Sequence, residues 1–255
     1  MTGQASAYCR AILAAALCAG AVGVALPADA APGSLREGLF RKRPSEGRQF
    51  TAPPVARYVA EDGRSFILDR TQPRPLLRFE GSSEIWALHP QPAPRGDVIY
   101  KNDVGEPVLR ATRLGGVTVF TPDRPEGAAA APTGNGAPIR LPPIGPQTLG
   151  ERLLQASARA SRAARRLIPF EAEATPASSA LLADAAMVTS EAMTRMGRQP
   201  RMRGFLNRIM KVRLTEGRRP AAAMENGTLM ITVAPQQGLA GRPSSERIVR
   251  VAQTP

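Results

Sequence analysis

The chain has 255 residues, 22% of them charged and 4% aromatic, with 34 Lys plus Arg against 21 Asp plus Glu and a net charge of +13. Two cysteines, Cys9 and Cys18, and one histidine, His89, exclude a disulfide scaffold and a cysteine- or histidine-rich metal centre. No stretch after residue 30 holds the ~20 consecutive apolar residues that a spanning helix needs, so no transmembrane helix is expected there.

Residues 1–30 read as a secretory signal peptide. Arg10 is the only charge before the apolar run 11–26, Pro27 ends that run, and Ala28-Asp29-Ala30 supplies the small residues of a cleavage site. A periplasmic address through a cleavable signal is therefore expected, with both cysteines removed. Leu17 stands where a lipid anchor on Cys18 would want a small residue. Residues 31–54 form a basic extended lead, with Arg41-Lys42-Arg43-Pro44 at its centre and Pro53-Pro54 at its end.

Residues 55–121 read as an antiparallel β-domain of about seven strands, a small barrel or sandwich. Tyr58 to Leu68 is a hairpin around an Asp62-Gly63 turn. Leu76 to Phe79 and Glu84 to Leu88 are further strands, and Pro90, Pro92 and Pro94 mark a loop because proline cannot donate to a sheet ladder. From 97 to 121, β-branched and aromatic runs alternate with Asn102-Asp103-Val104-Gly105 and Leu114-Gly115-Gly116. That alternation predicts a three-stranded meander. Tyr58, Phe66, Phe79, Trp86, Tyr100 and Phe120 fall here and are expected in a core.

Residues 122–148 are rich in Pro, Gly and Ala and read as a linker. A helix is expected over 149–168, where Leu149, Leu153, Ala156, Ala160, Ala164 and Leu167 recur at helical spacing. A second helix should start at Thr175-Pro176 and run to about Met196, with Gly197 as its cap. Met202, Phe205, Leu206 and Ile209 predict a short third helix. A hairpin around Asn226-Gly227 follows, and Arg247 to Val251 reads as a last strand. The fold class is thus α+β: a β-domain, a linker, and a basic helical region over 149–255 with a closing β-hairpin.

Charge follows this division. Residues 58–125 carry 9 positive and 9 negative side chains, whereas 126–255 carry 18 and 9. Arg152, Arg159, Arg162 and Arg166 form a polar stripe on the first helix, and Arg201, Arg203, Arg208 and Lys211 crowd the third. These eight are the candidate contacts to an anionic envelope component or membrane surface, bound peripherally. A protein partner is also compatible with them. Nucleic acid is not expected, because Tyr58, Phe66, Phe79, Trp86, Tyr100 and Phe120 fall in the β-domain, whose net charge is zero, and read as core and not as an exposed stacking platform.

No cofactor is expected. There is no phosphate loop or dinucleotide fingerprint, and 102–106 lacks the repeated acids of a calcium loop. His89 could join Ser82 or Ser83 and Asp97 in a hydrolase, but no strained G-x-S-x-G turn accompanies them. Glu80, Glu84 and Asp103 offer carboxylates for glycoside cleavage with nothing to select a pair. The expected role is therefore non-enzymatic binding or structure. An inhibitor of a cell-wall hydrolase is the first alternative, and a hydrolase using His89 the second.

The segments Y-x-x-E-D-G-R-S-F-I-L-D at Tyr58 to Asp69 and R-G-D-V-I-Y-K-N-D-V-G-E-P-V-L-R at Arg95 to Arg110, behind a signal sequence, resemble a family of exported Gram-negative bacterial proteins defined only as a domain of unknown function. The resemblance implies a periplasmic address and brings no assigned activity or site residues. The β-part is also similar in layout to small periplasmic barrels that inhibit lysozymes. In those a strand enters a tyrosine-containing turn, as Val98-Ile99-Tyr100-Lys101-Asn102 does here. They commonly carry disulfides, and this chain beyond residue 30 has no cysteine.

Overall fold

The computed structural model describes residues 53–254. The expected signal peptide and all but the last two residues of the basic lead lie outside them. The described residues all belong to one compact unit.

The first half is a nine-stranded, wholly antiparallel sheet in the order β4-β3-β2-β1-β9-β8-β7-β6-β5. β1 (Val55–Ala60) and β2 (Ser65–Asp69) form the expected hairpin, with Gly63 at φ 82° in its turn. β3 (Leu76–Phe79) and β4 (Ile85–Ala87) continue one way, and β6 (Val98–Lys101), β7 (Pro107–Ala111) and β8 (Val117–Thr121) make the meander. The edge strands β4 and β5 (His89–Pro92) are separated in sequence by Leu88 alone. The sheet therefore curls back on itself into a nearly closed barrel. Leu88 is fully buried, and its N–H donates to the Pro75 carbonyl at 2.8 Å. Inside lie Tyr58, Phe66, Leu68, Leu77, Leu109 and Val119. The Tyr58 and Phe66 rings stack at 5.2 Å.

Two strands beyond the expected seven appear where proline and alanine argued against them. Pro90 and Pro92 sit in β5 and not in a loop. β5 is an edge strand with one neighbour, so a missing N–H breaks no second ladder. The supposed linker contributes β9 (Arg124–Asn135), which is 12 residues long and pairs with both β1 and β8. Its alanines are poor strand formers alone, but Ala128 is buried in the barrel core, and pairing on both sides holds the strand. Gly127, at φ 92°, is required: a Cβ there would lie 2.5 Å from the Thr118 methyl.

The second half is a four-stranded sheet in the order β10-β11-β13-β12 packed against helices. α1 (Pro146–Ala164) leads to β10 (Phe170–Ala172). Next come α2 (Ser179–Arg198) and the short α3 (Arg203–Arg208), which cross over to β11 (Lys211–Glu216), parallel to β10. β12 (Ala221–Glu225) and β13 (Thr228–Val233) are the expected hairpin, with Asn226 at φ 47° and Gly227 at φ 77°. The core joins Ala156 and Ala160 of α1, Leu182, Met193 and Met196 of α2, and Leu214 and Ile231 of the sheet.

Four local expectations change. α1 stops at Ala164 because Arg165 turns left-handed at φ 56°, so Ile168 takes the core position and Leu167 faces solvent. α2 begins at Ser179, with the Ser178 and Ser179 hydroxyls donating to the Thr175 carbonyl. Gly197 is no cap but a helix contact: a Cβ there would stand 3.0 Å from the Ala163 carbonyl oxygen of α1. Arg247 to Val251 is helical, within α4 (Ser245–Gln253). Ser244 caps it, accepting from the Arg247 N–H at 3.1 Å, and Ile248 and Ala252, four apart, are its buried residues beyond the first.

Candidate functional site

Two hollows concentrate charged side chains. The first, about 450 Å³, opens where α1, α2 and α3 end or begin, and five arginines line it: Arg159, Arg162, Arg165, Arg198 and Arg203. No acidic residue is among its lining. The helices explain why arginines gather here. The Gly197–Ala163 approach brings the last turns of α1 and α2 together, and each last turn carries basic residues that complement the partial negative charge of a helix C-terminus. Arg159 reaches Glu191 at 3.9 Å, and Arg203 Nε donates to the Gly197 carbonyl at 3.1 Å. The Arg162, Arg165 and Arg198 side chains have no hydrogen-bond or ion-pair partner among the described residues.

Of the eight expected contact residues, Arg159, Arg162 and Arg203 meet in this hollow. The others do not. Arg152 bonds Gln155 at 3.2 Å beside Leu141, Ile144 and Met187. Arg166 lies past the end of α1 and turns inward, its Nη2 donating to the carbonyls of Leu206, Asn207 and Ile209. Arg208 donates to the Thr254 carbonyl at 3.0 Å, and Lys211 pairs with Glu171 at 3.4 Å. Arg201 is exposed outside the hollow. Sequence reasoning missed Arg165 and Arg198. Their signal was their place at two helix ends, and only packing makes those ends neighbours.

The second hollow, about 500 Å³, lies where the barrel meets the 235–247 segment. His89, Trp86, Asp103 and Arg74 come from the barrel, and Arg219, Gln237 and Arg247 from the second half. The wall is held by a polar seam. The Ser244 N–H and hydroxyl donate to the Asp103 carboxylate, as does Arg247 Nε at 2.9 Å. Arg242, 5% exposed, pairs with Asp184 and donates to the Ile85 carbonyl at 2.7 Å. Arg250 pairs with Glu106 at 2.9 Å. Burial, followed by the Arg74 charge, holds the His89 pKa below its ordinary value; Asp103 opposes this and Arg247 adds to it.

The constellations considered around His89 do not assemble. Ser82, Ser83 and Asp97 are absent from the hollow that His89 lines. Asp97 instead accepts from Arg110 and from the Arg113 N–H, and the Arg110 hydrogen bond leads in lowering its pKa. Glu80 pairs with Arg57 at 2.7 Å, and Glu84 is committed to Ser245. Asp103 does share the His89 hollow, already bonded to Ser244 and Arg247. Among the described residues no three His, Cys, Asp or Glu side chains converge to hold a metal ion. No helix among them is long and apolar enough to cross a membrane.

Residues 34–252 match the family model described as Domain of unknown function (DUF4908). The chain belongs to this family. The match spans both halves of the structure, so barrel, helices and the seam between them all fall within one family unit. No curated protein and no solved structure matches the chain.

Proposed function

We propose that the protein is an exported, periplasmic, non-enzymatic binding protein whose α1–α2–α3 hollow takes the anionic groups of an envelope component at the membrane surface. The observation that carries this reading is the gathering of five arginines, three of them unpartnered among the described residues, in one hollow without an acid in its lining. Like charges held this close repel, and a bound polyanion relieves that repulsion while forming charge-assisted hydrogen bonds. The periplasmic address rests on the pattern of residues 1–30. The inhibitor alternative is less well supported, because the 102–106 turn it would use is engaged by Arg247 and Arg250.

Sedimentation with vesicles tests the reading. The protein should pellet with phosphatidylglycerol-containing vesicles at low salt, release as salt rises, and ignore phosphatidylcholine vesicles. Reversing Arg162, Arg165 and Arg198 to Glu should abolish pelleting. Reversing the exposed barrel residues Arg95, Arg113 and Arg124 should not. Equal losses from both sets would refute the assignment of the hollow.

A further inference from the structure

The hollow around His89 and Trp86 has features that the arginine-lined hollow lacks. Its lining includes Arg74, Arg219, Arg242, Arg247 and Asp103, so it is cationic overall. Two of the four arginines are spent: Arg242 on Asp184 and Ile85, Arg247 on Asp103. Arg74 and Arg219 have no hydrogen-bond or ion-pair partner among the described residues. They come from opposite halves, Arg74 from the β2–β3 connection and Arg219 from the turn before β12, and both line this one hollow, which suits it to an anion.

The rest of the wall is of another kind. Ile85, Trp86, Leu239 and Ala240 supply apolar lining. Gln237 also lines the hollow. Its Nε2 donates to the Arg218 carbonyl at 3.3 Å, whereas its Oε1 is buried and accepts no hydrogen bond among the described residues. A volume of about 500 Å³ suits a small molecule and not a polymer.

We propose that this hollow is a second binding site, for a small organic carboxylate that carries an apolar body. Arg74 and Arg219 hold the carboxylate, and Trp86 and Leu239 cover the body. Burial and the Arg74 charge disfavour the charged form of His89. The ligand takes both halves of the molecule as its walls.

Trp86 is the only tryptophan in the chain, so its emission reports on this hollow directly. The probe is 4-hydroxybenzoate, titrated into the full chain with excitation at the red edge of the indole band. A saturable change in Trp86 emission is expected. The methyl ester, which lacks the charge, should bind at least tenfold more weakly. Arg74→Ala and Arg219→Ala should each weaken 4-hydroxybenzoate at least tenfold, with unchanged circular dichroism and melting temperature showing that the variants fold. Trp86 also borders a hollow with Phe79 and Phe120, and the two arginine variants separate the sites, since neither arginine lines it. No saturable response, an ester that binds as well as the acid, or arginine variants that bind like the parent would each overturn the proposal.

Discussion

The Glu84 carboxylate accepts both the Ser245 backbone N–H at 2.8 Å and the Ser245 hydroxyl at 2.6 Å, across 161 residues of sequence. Glu84 precedes β4 of the barrel and Ser245 is the first residue of α4, so this pair ties the two halves at a helix N-terminus. The helix end offers unpaired N–H groups and partial positive charge, which suits a carboxylate. Both residues are buried.

Glu84→Ala should destabilise the fold by roughly 3 kcal/mol, because it strands two buried donors at the seam. The pH dependence has a definite sign. Burial, the largest influence, raises the Glu84 pKa above its ordinary 4.5, against the Arg242 charge and the Ser245 donors. A raised folded-state pKa favours folding below pH 4.5, and that contribution is lost as pH rises through the folded value. Glu84→Gln keeps a neutral acceptor at every pH. Thermal melts from pH 4 to 8 should therefore show the variant gaining on the parent as pH rises. A difference that stays flat or shrinks would contradict this account of the seam.

Arg166→Ala should cost about 1–3 kcal/mol in urea unfolding, since the side chain satisfies three carbonyls at the end of α3. Arg166→Lys should recover little, because an ammonium cannot span the same carbonyls as a planar guanidinium. Arg162→Ala, on an exposed and unpartnered side chain, should stay within about 0.5 kcal/mol of the parent. An Arg166→Ala variant of parental stability that no longer binds vesicles would return Arg166 to the ligand-binding set.

The single histidine gives a single Cε1–H signal in a proton NMR titration. Its midpoint should fall below 6.5, as burial and Arg74 disfavour the charged ring. A lowered folded-state value means that the stability His89 contributes is complete above pH 6.5 and declines as pH falls below it. Arg74→Ala should move the midpoint upward. A midpoint above 6.5 in the parent would show that Asp103 dominates the site instead.

Elements specified by neighbours in the chain were legible. Asp62-Gly63 and Asn226-Gly227 demand left-handed backbone, and both hairpins form around them. The apolar spacing of Leu149, Ala156 and Ala160 and of Leu181, Ala185, Val188 and Ala192 placed α1 and α2. Elements that depend on partners were not. β9 is a strand because β1 and β8 flank it, β5 because an edge tolerates its prolines, and α4 because Ser244 caps it while Ile248 and Ala252 find a core. The arginine stripe shared this fate: the helical pattern showed that arginines clustered, not which of them packing would consume.

The sequence by itself determined the α+β class, the two hairpins, the helices and a basic C-terminal half, because turn chemistry and helical periodicity act over a few residues. Tertiary structure decided that 124–135 joins β1 to β8 in the middle of the sheet, that Glu84 and Ser245 join the halves, and that Arg165 and Arg198 share a hollow. It also decided that His89 and Trp86 line one hollow with Arg219. Those outcomes depend on which surfaces can be buried together and which polar groups then find partners. That condition is satisfied across more than a hundred residues and leaves no local mark in the chain.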